Sequence, residues 1–229
     1  MTEAEFDQFA EKYDTVLDKS ITFSGEESSF FIELKLQLLR DFLKEKGRSS
    51  LMVLDYGCGT GRSFPFFQRY FPALTYHGVD PSPKSIEEAQ RNYSNGSFSV
   101  LDLNSLGNVK YDLVFAAVVF HHILVEDHQK TLRALYTALH PGGRLVIFEH
   151  NPHNPLTRKV VRDCPFDKDA VLLKPTYARK MIKEAGFIVD HFCYYFFFPK
   201  WLSLFRSTEV LLKNVPLGAQ YMVVGRKAQ

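Results

Sequence analysis

The segment Val53-Leu54-Asp55-Tyr56-Gly57-Cys58-Gly59-Thr60-Gly61 constrains this chain more than any other. An apolar, strand-prone run ends on an acid, and three glycines follow at alternate positions. Glycine lacks a Cβ, so a backbone built this way can turn sharply and lie against a ligand. Between a buried strand and a helix N-terminus, such a turn is where open α/β sheets receive nucleotide-like molecules. The spacing is G-x-G-x-G, not the G-x-G-x-x-G that brings a helix N-terminus onto a pyrophosphate. Asp55, two residues ahead of the first glycine, would repel a phosphate and favours a cation.

The order of elements supports the same sheet. Thr75-Tyr76-His77-Gly78-Val79-Asp80 reads as a second strand ending in an acid, about 20 residues beyond the glycine turn, where nucleotide folds place a ribose ligand. Pro81-Ser82-Pro83 opens a helix, with Ser82 as N-cap and Pro83 at the first helical position. Ser97 to Leu101 is a short third strand ending at Asp102-Leu103. Tyr111 to Val119 is a continuous apolar strand of the buried, parallel type. A helix from Glu126 to Leu139 carries Leu132, Leu135, Tyr136 and Leu139 in helical spacing. His140-Pro141-Gly142-Gly143 stops it, and Gly143 to Glu149 forms the next strand. A helix near Tyr177 to Ala185, a strand from Phe187 towards Phe198 and a final strand, Gln220 to Arg226, complete the series. The last two are expected to pair as an antiparallel, hairpin-like edge. Alternating strands and helices imply a mostly parallel sheet with helices on both faces.

Asp-x-Gly-x-Gly-x-Gly at residues 55–61 resembles motif I of the class I methyltransferases that use S-adenosylmethionine (SAM). The Leu139-His140-Pro141-Gly142-Gly143 turn and the reversed last strand are similar to that family as well. The resemblance implies a Rossmann-like α/β fold with seven strands, the last antiparallel, and a SAM cradle formed by Asp55, Gly57, Cys58, Gly59 and Gly61. It implies that Asp80 holds the ribose and that Asp102 meets the adenine amino group, although Asp102 read alone is a turn residue. Pro81, Leu103, Ala116 and Ala117 are counted with the cofactor contacts. The resemblance is specific over residues 51–150 and rests on element order beyond them. A single domain over residues 1–229 is expected, with residues 1–48 as a helical lid, 51–150 as the SAM-binding core, and 151–229 as a substrate-side insertion and C-terminal hairpin. In the lid, Phe6-x-x-Phe9-Ala10-Glu11-Lys12-Tyr13-Asp14 resembles a helix of the ubiquinone and menaquinone methyltransferases, and Tyr13 is expected to face the cofactor.

Candidates for the chemistry belong at the C-terminal ends of the fourth and fifth strands. His121 and His122 follow the fourth, in a Phe-His-His-Ile run similar to that of many small-molecule methyltransferases. Glu149 and His150 follow the fifth. A histidine titrates near neutrality and could take a proton from a hydroxyl or enolic acceptor. The two Asn-Pro pairs between Asn151 and Pro155 forbid both strand and helix, so an ordered loop is expected there, followed by a helix through Val160 and Val161. His150, His153, Cys164 and Asp167 match no zinc spacing, and no metal is expected.

Composition narrows the partners. A net charge of +2 gives no general attraction to nucleic acid, although residues 151–229 carry 13 bases against 6 acids. The Asn/Asp-Pro-Pro-aromatic run that base-methylating enzymes of this fold place after strand four is lacking at Ala116 to His122. Three cysteines without paired spacing make no disulfide framework. The start of the chain lacks a signal-type apolar region, and no run reaches the ~18 apolar residues of a membrane span, so the chain reads as cytoplasmic. Trp201, Leu204, Phe205, Thr208, Leu211 and Leu212 would share one helical face, open to three readings: core, acceptor site or peripheral membrane contact. The expected reaction is methyl transfer from SAM, with S-adenosylhomocysteine as product, to a hydrophobic or lipid-linked small molecule. A soluble metabolite, or SAM binding without catalysis, is the alternative.

Overall fold

The computed structural model describes residues 21–44, 51–165 and 170–229. Its centre is a seven-stranded sheet in the order β3-β2-β1-β4-β5-β7-β6. The strands are β1 (Leu51–Tyr56), β2 (Leu74–Asp80), β3 (Phe98–Val100), β4 (Tyr111–Ala117), β5 (Leu139–His150), β6 (Ile188–Tyr195) and β7 (Gln220–Arg226). β1 to β5 pair in parallel, whereas β7 runs antiparallel to both of its neighbours. The Rossmann-like, mostly parallel architecture is therefore present. As expected, β6 and β7 form an antiparallel pair at one edge of the sheet, with β7 on its inner side. It is inserted between β5 and β6, and β6 lies outermost. The reason is apolarity, because all of β7 but Arg226 is buried, while most of β6 is only partly covered.

The helices are α1 (Ser28–Lys44), α2 (Phe64–Tyr70), α3 (Pro83–Asn92), α4 (His128–Ala138), α5 (Pro155–Asp163), α6 (Pro175–Glu184) and the single turn α7 (Glu209–Leu212). Local chemistry sets several of their starts. The Ser82 hydroxyl accepts the Ser85 N–H at 3.1 Å, with Pro83 at the first position of α3. Asn154 accepts from Leu156 and Thr157 N–H at 2.9 and 3.0 Å, so α5 begins at Pro155. His140 to Gly142 are taken into β5 as an irregularity opposite Tyr111 and Leu113 rather than ending before it.

Alternation along the strands divides the core into two layers. Val53, Phe115, Val146 and Phe148 pack on one face with α1 and α2. Leu54, Val114, Leu145 and Ile147 pack on the other with α4 and α6. Phe98 wedges into the first layer so tightly that a Cβ added at Gly61, Gly78 or Gly96 would lie 2.9, 2.8 or 2.3 Å from its ring.

The aromatic segment after β6 overturns the core-packing reading. Lys200–Thr208 is a 3-10 stretch interrupted at Leu202, followed by α7, and it is not one amphipathic helix. Trp201, Leu204 and Leu211 are 68%, 87% and 79% exposed. Two of its charged side chains, Arg206 and Glu209, bond inward instead. Arg206 pairs with Glu26 at 2.7 Å and lies over the Phe30 ring, and Glu209 accepts the N–H groups of Phe196, Phe197 and Phe198 at 3.0–3.1 Å. No helix of the described residues is long and apolar enough to cross a membrane.

Candidate active site

The C-terminal ends of β1, β2, β4 and β5 open into a cavity of about 650 Å3, covered by α1, α5 and the chain after β6. At its floor the glycine turn is held by the neighbouring strand: Gly57 and Cys58 N–H donate to the Val79 carbonyl at 2.8 and 3.1 Å. Gly57 has φ +77°, and a Cβ there would lie 2.5 Å from Val119. Both backbone freedom and close approach therefore require glycine. Nothing lies within 4 Å of where a Cβ would project from Gly59, so that position opens onto the cavity. Gly61 does not line it and packs on Phe98 instead.

Asp55 is 2% exposed and accepts hydrogen bonds from the hydroxyls of Ser63 and Tyr76, the latter at 2.7 Å. Burial pushes its carboxyl up to about 6 from an ordinary 3.8. The two hydroxyl donors oppose that rise, and the charge of Asp80 adds to it. Asp80 is braced by the turn itself, accepting Gly59 N–H and Ser82 N–H at 2.9 Å each. Each oxygen thus holds a backbone N–H of the turn, and the residue lines the cavity. The Cys58 thiol is pushed well up by burial and by the charges of Asp55 and Asp80, which keeps it a neutral packing group.

The other expected cofactor residues divide. Pro81 and Ala117 line the cavity, whereas Ala116, one residue along β4, is buried in the opposite layer. Asp102 is exposed, accepts the N–H of Asn104 at 2.9 Å and stands outside the lining, as does Leu103. Leu101 lines the cavity in their stead. Tyr13 lies outside the described residues.

On the acceptor side, Glu149 is fully buried and carries His121. One oxygen accepts the Phe120 N–H at 2.8 Å, and the other meets His121 Nδ1 at 2.6 Å. Burial alone would raise the Glu149 carboxyl, but the charge and hydrogen bond of His121, with His150 and His122, hold it below the usual range. His121, His122 and His150 reach the cavity, with ring centroids 4.1 and 5.4 Å from His121 to the other two. Gln220, itself bonded to the Tyr195 hydroxyl at 2.6 Å, lies 3.3 Å from His150 Nδ1.

Sequence reading missed several features. Lys35, on α1, is 4% exposed at the cavity wall, and Arg62 reaches the Ser28 hydroxyl at 2.5 Å across the same opening. Among the described residues, the non-glycine positions with positive φ are Val118 (+62°) and Phe196 (+57°), and both line the cavity. Such backbone strain gathers at functional sites. A lysine in an amphipathic helix reads as a solvated residue, and a positive φ at Val or Phe has no local sequence signal.

The donor set suits a molecule with a cationic amino-acid end and a diol: a buried acid, a second acid on the next strand, and an open glycine between them. A Rossmann-like sheet with this turn is the arrangement of the class I methyltransferases, whose cofactor is SAM and whose product after transfer is S-adenosylhomocysteine. Residues 54–145 of the chain match the family described as a methyltransferase domain. Among curated relatives, a demethylmenaquinone methyltransferase of Thermotoga maritima is 31% identical over 65% of this chain and 61% of its own length. A trans-aconitate 2-methyltransferase of Pseudomonas aeruginosa is 38% identical over 41% of this chain and 34% of its own. The chain thus spans less than two thirds of the length of either. A magnesium protoporphyrin IX methyltransferase from Synechocystis, solved with bound S-adenosylhomocysteine, superposes with a TM-score of 0.61 at 20% identity, covering 92% of this chain and 86% of that one. At that identity the likeness is one of fold.

Proposed function

We propose that this protein transfers the methyl group of SAM to an apolar small molecule bearing an ionisable hydroxyl or enol, drawn from a lipid phase. The observation that carries the reading is the buried Glu149–His121 pair set into the wall of a largely apolar cavity. SAM, when bound, supplies a methyl group already activated by its sulfonium. Asp55, Gly57, Gly59 and Asp80 would hold it at the floor of the cavity. What remains for the chain is to align an acceptor and remove its proton. Glu149 orients the His121 ring through Nδ1 and stabilises its protonated form, so His121 can accept a proton at the cavity wall. Phe31, Ile32, Leu156, Val160 and Phe197 exclude water from an acceptor there.

The exposed segment at residues 200–212 supports a lipid source. Its apolar side chains face outward, Lys200 and Lys213 are exposed with them, and the chain leads directly to Phe197 and Pro199 in the cavity wall. We read it as a face that rests on an anionic lipid surface.

The test uses methyl-labelled SAM with the purified protein and an extract of its source cells. Label in the organic phase supports the reading, whereas label confined to the aqueous phase replaces it with a soluble acceptor, as the trans-aconitate relative's name would suggest. Glu149→Gln and His121→Ala should each lower the rate by about 10²–10⁴. S-adenosylhomocysteine affinity should stay within about 1 kcal/mol in both. An unchanged rate removes the pair from the mechanism.

A further inference from the structure

Lys35 sits on α1 with its side chain at the cavity wall and almost no access to bulk solvent. Taking an ammonium group out of water costs several kcal/mol unless other groups replace its hydration. Among the described residues that replacement is one bond, from Nζ to the Phe31 carbonyl of the preceding turn, at 3.3 Å. Glu149 is close enough to attract it. Both oxygens of Glu149 are already engaged, by the Phe120 N–H and by His121. A lysine kept this way contributes nothing to folding that a methionine of similar length would not contribute better. It is a strong donor in the wall of the cavity that His121, His122 and His150 also line, near enough to Glu149 and Arg62 to feel their charges.

From this arrangement we propose that Lys35 receives an acidic oxygen of the acceptor, so that the acceptor is an apolar molecule with a carboxylate or an equally acidic enolate. The inference rests on the methyltransferase reading and narrows it to a substrate class. An N–H···O bond with charge on both partners is roughly twice as strong as a neutral one and is little screened at a group as buried as Lys35. Burial pushes the Lys35 ammonium down to about 7, an effect that Glu149 opposes and Arg62 reinforces. A bound anion would restore the full positive charge. Apolar molecules without an acid would leave Lys35 dehydrated and uncompensated, which selects against them.

The experiment titrates 2-naphthoate and its neutral counterpart 2-naphthamide into the protein saturated with S-adenosylhomocysteine. The acid should bind at least tenfold tighter than the amide. Lys35→Met should erase that preference, leave S-adenosylhomocysteine affinity within twofold, and keep or raise the melting temperature. Lys35→Arg should retain part of the preference. Equal binding of acid and amide, an acid preference that survives in Lys35→Met, or failure of both probes to bind the loaded protein overturns the inference. Failure of S-adenosylhomocysteine itself to bind, seen in the first titration, overturns the methyltransferase reading together with it.

Discussion

At the scale of single residues, the floor of the cavity is in tension with the stability of the fold. The Asp55 carboxyl is held at about 6 in the folded chain, above its ordinary 3.8. Between those two values the folded state binds more protons than the unfolded one, so stability falls as pH rises through that window. The penalty is complete above about pH 6 and is on the order of 2–3 kcal/mol. Asp55→Asn should therefore melt higher than the parent at pH 7.5, with the difference shrinking towards pH 4. The same variant should bind S-adenosylhomocysteine at least tenfold more weakly, because a cationic amino group favours the ionised acid. In the parent, that affinity should decline below pH 6. Calorimetry at several pH values reads all three effects, and a variant that melts no higher at pH 7.5 refutes the argument. The motif acid is retained at the expense of the apo fold.

At the scale of elements, the loop after β4 bears the strain. Val118 N–H still continues the sheet, donating to the Phe148 carbonyl at 2.8 Å, while its φ of +62° turns the chain towards Phe120–His122. An L-residue there costs about 1–2 kcal/mol, and a β-branched one is a genuine outlier. Val118→Gly releases that cost while losing a half-buried side chain, so its urea stability should stay within about 1 kcal/mol of the parent. Its turnover should nevertheless fall, because a looser turn no longer fixes His121. A loss of several kcal/mol would mean that Val118 is a packing residue and not a strained one. Elements were legible in the sequence where their cause is local. The Asp55–Gly61 turn, the Ser82 cap, the start of α5 at Pro155 and the limits of β7 follow from glycine, proline, capping side chains and β-branched runs. What escaped has tertiary causes: the burial of Lys35, the strain at Val118 and Phe196, and the place of β7 between β5 and β6.

At the scale of the whole molecule, the segment at residues 200–212 inverts the ordinary arrangement of a surface element. Arg206 and Glu209 bind inward, and Trp201, Leu204 and Leu211 face out. Replacing those three outward residues by serine should leave the melting temperature unchanged, since each is mostly exposed. It should abolish co-sedimentation with phosphatidylglycerol vesicles, which the parent should show more strongly at low salt. Equal sedimentation of the two proteins would return the patch to ordinary surface.

The ring of Phe98 has an effect of another kind. At Gly96 the three nearest atoms to an added Cβ all belong to that ring. Alanine is thus barred from position 96 by one neighbour alone, and the bar lifts once Phe98 has become smaller. The order of substitution then decides which descendants are viable: ring first and glycine second is an open path, and the reverse is closed. A glycine that looks indispensable in this sequence is held in place by the ring of a single aromatic side chain.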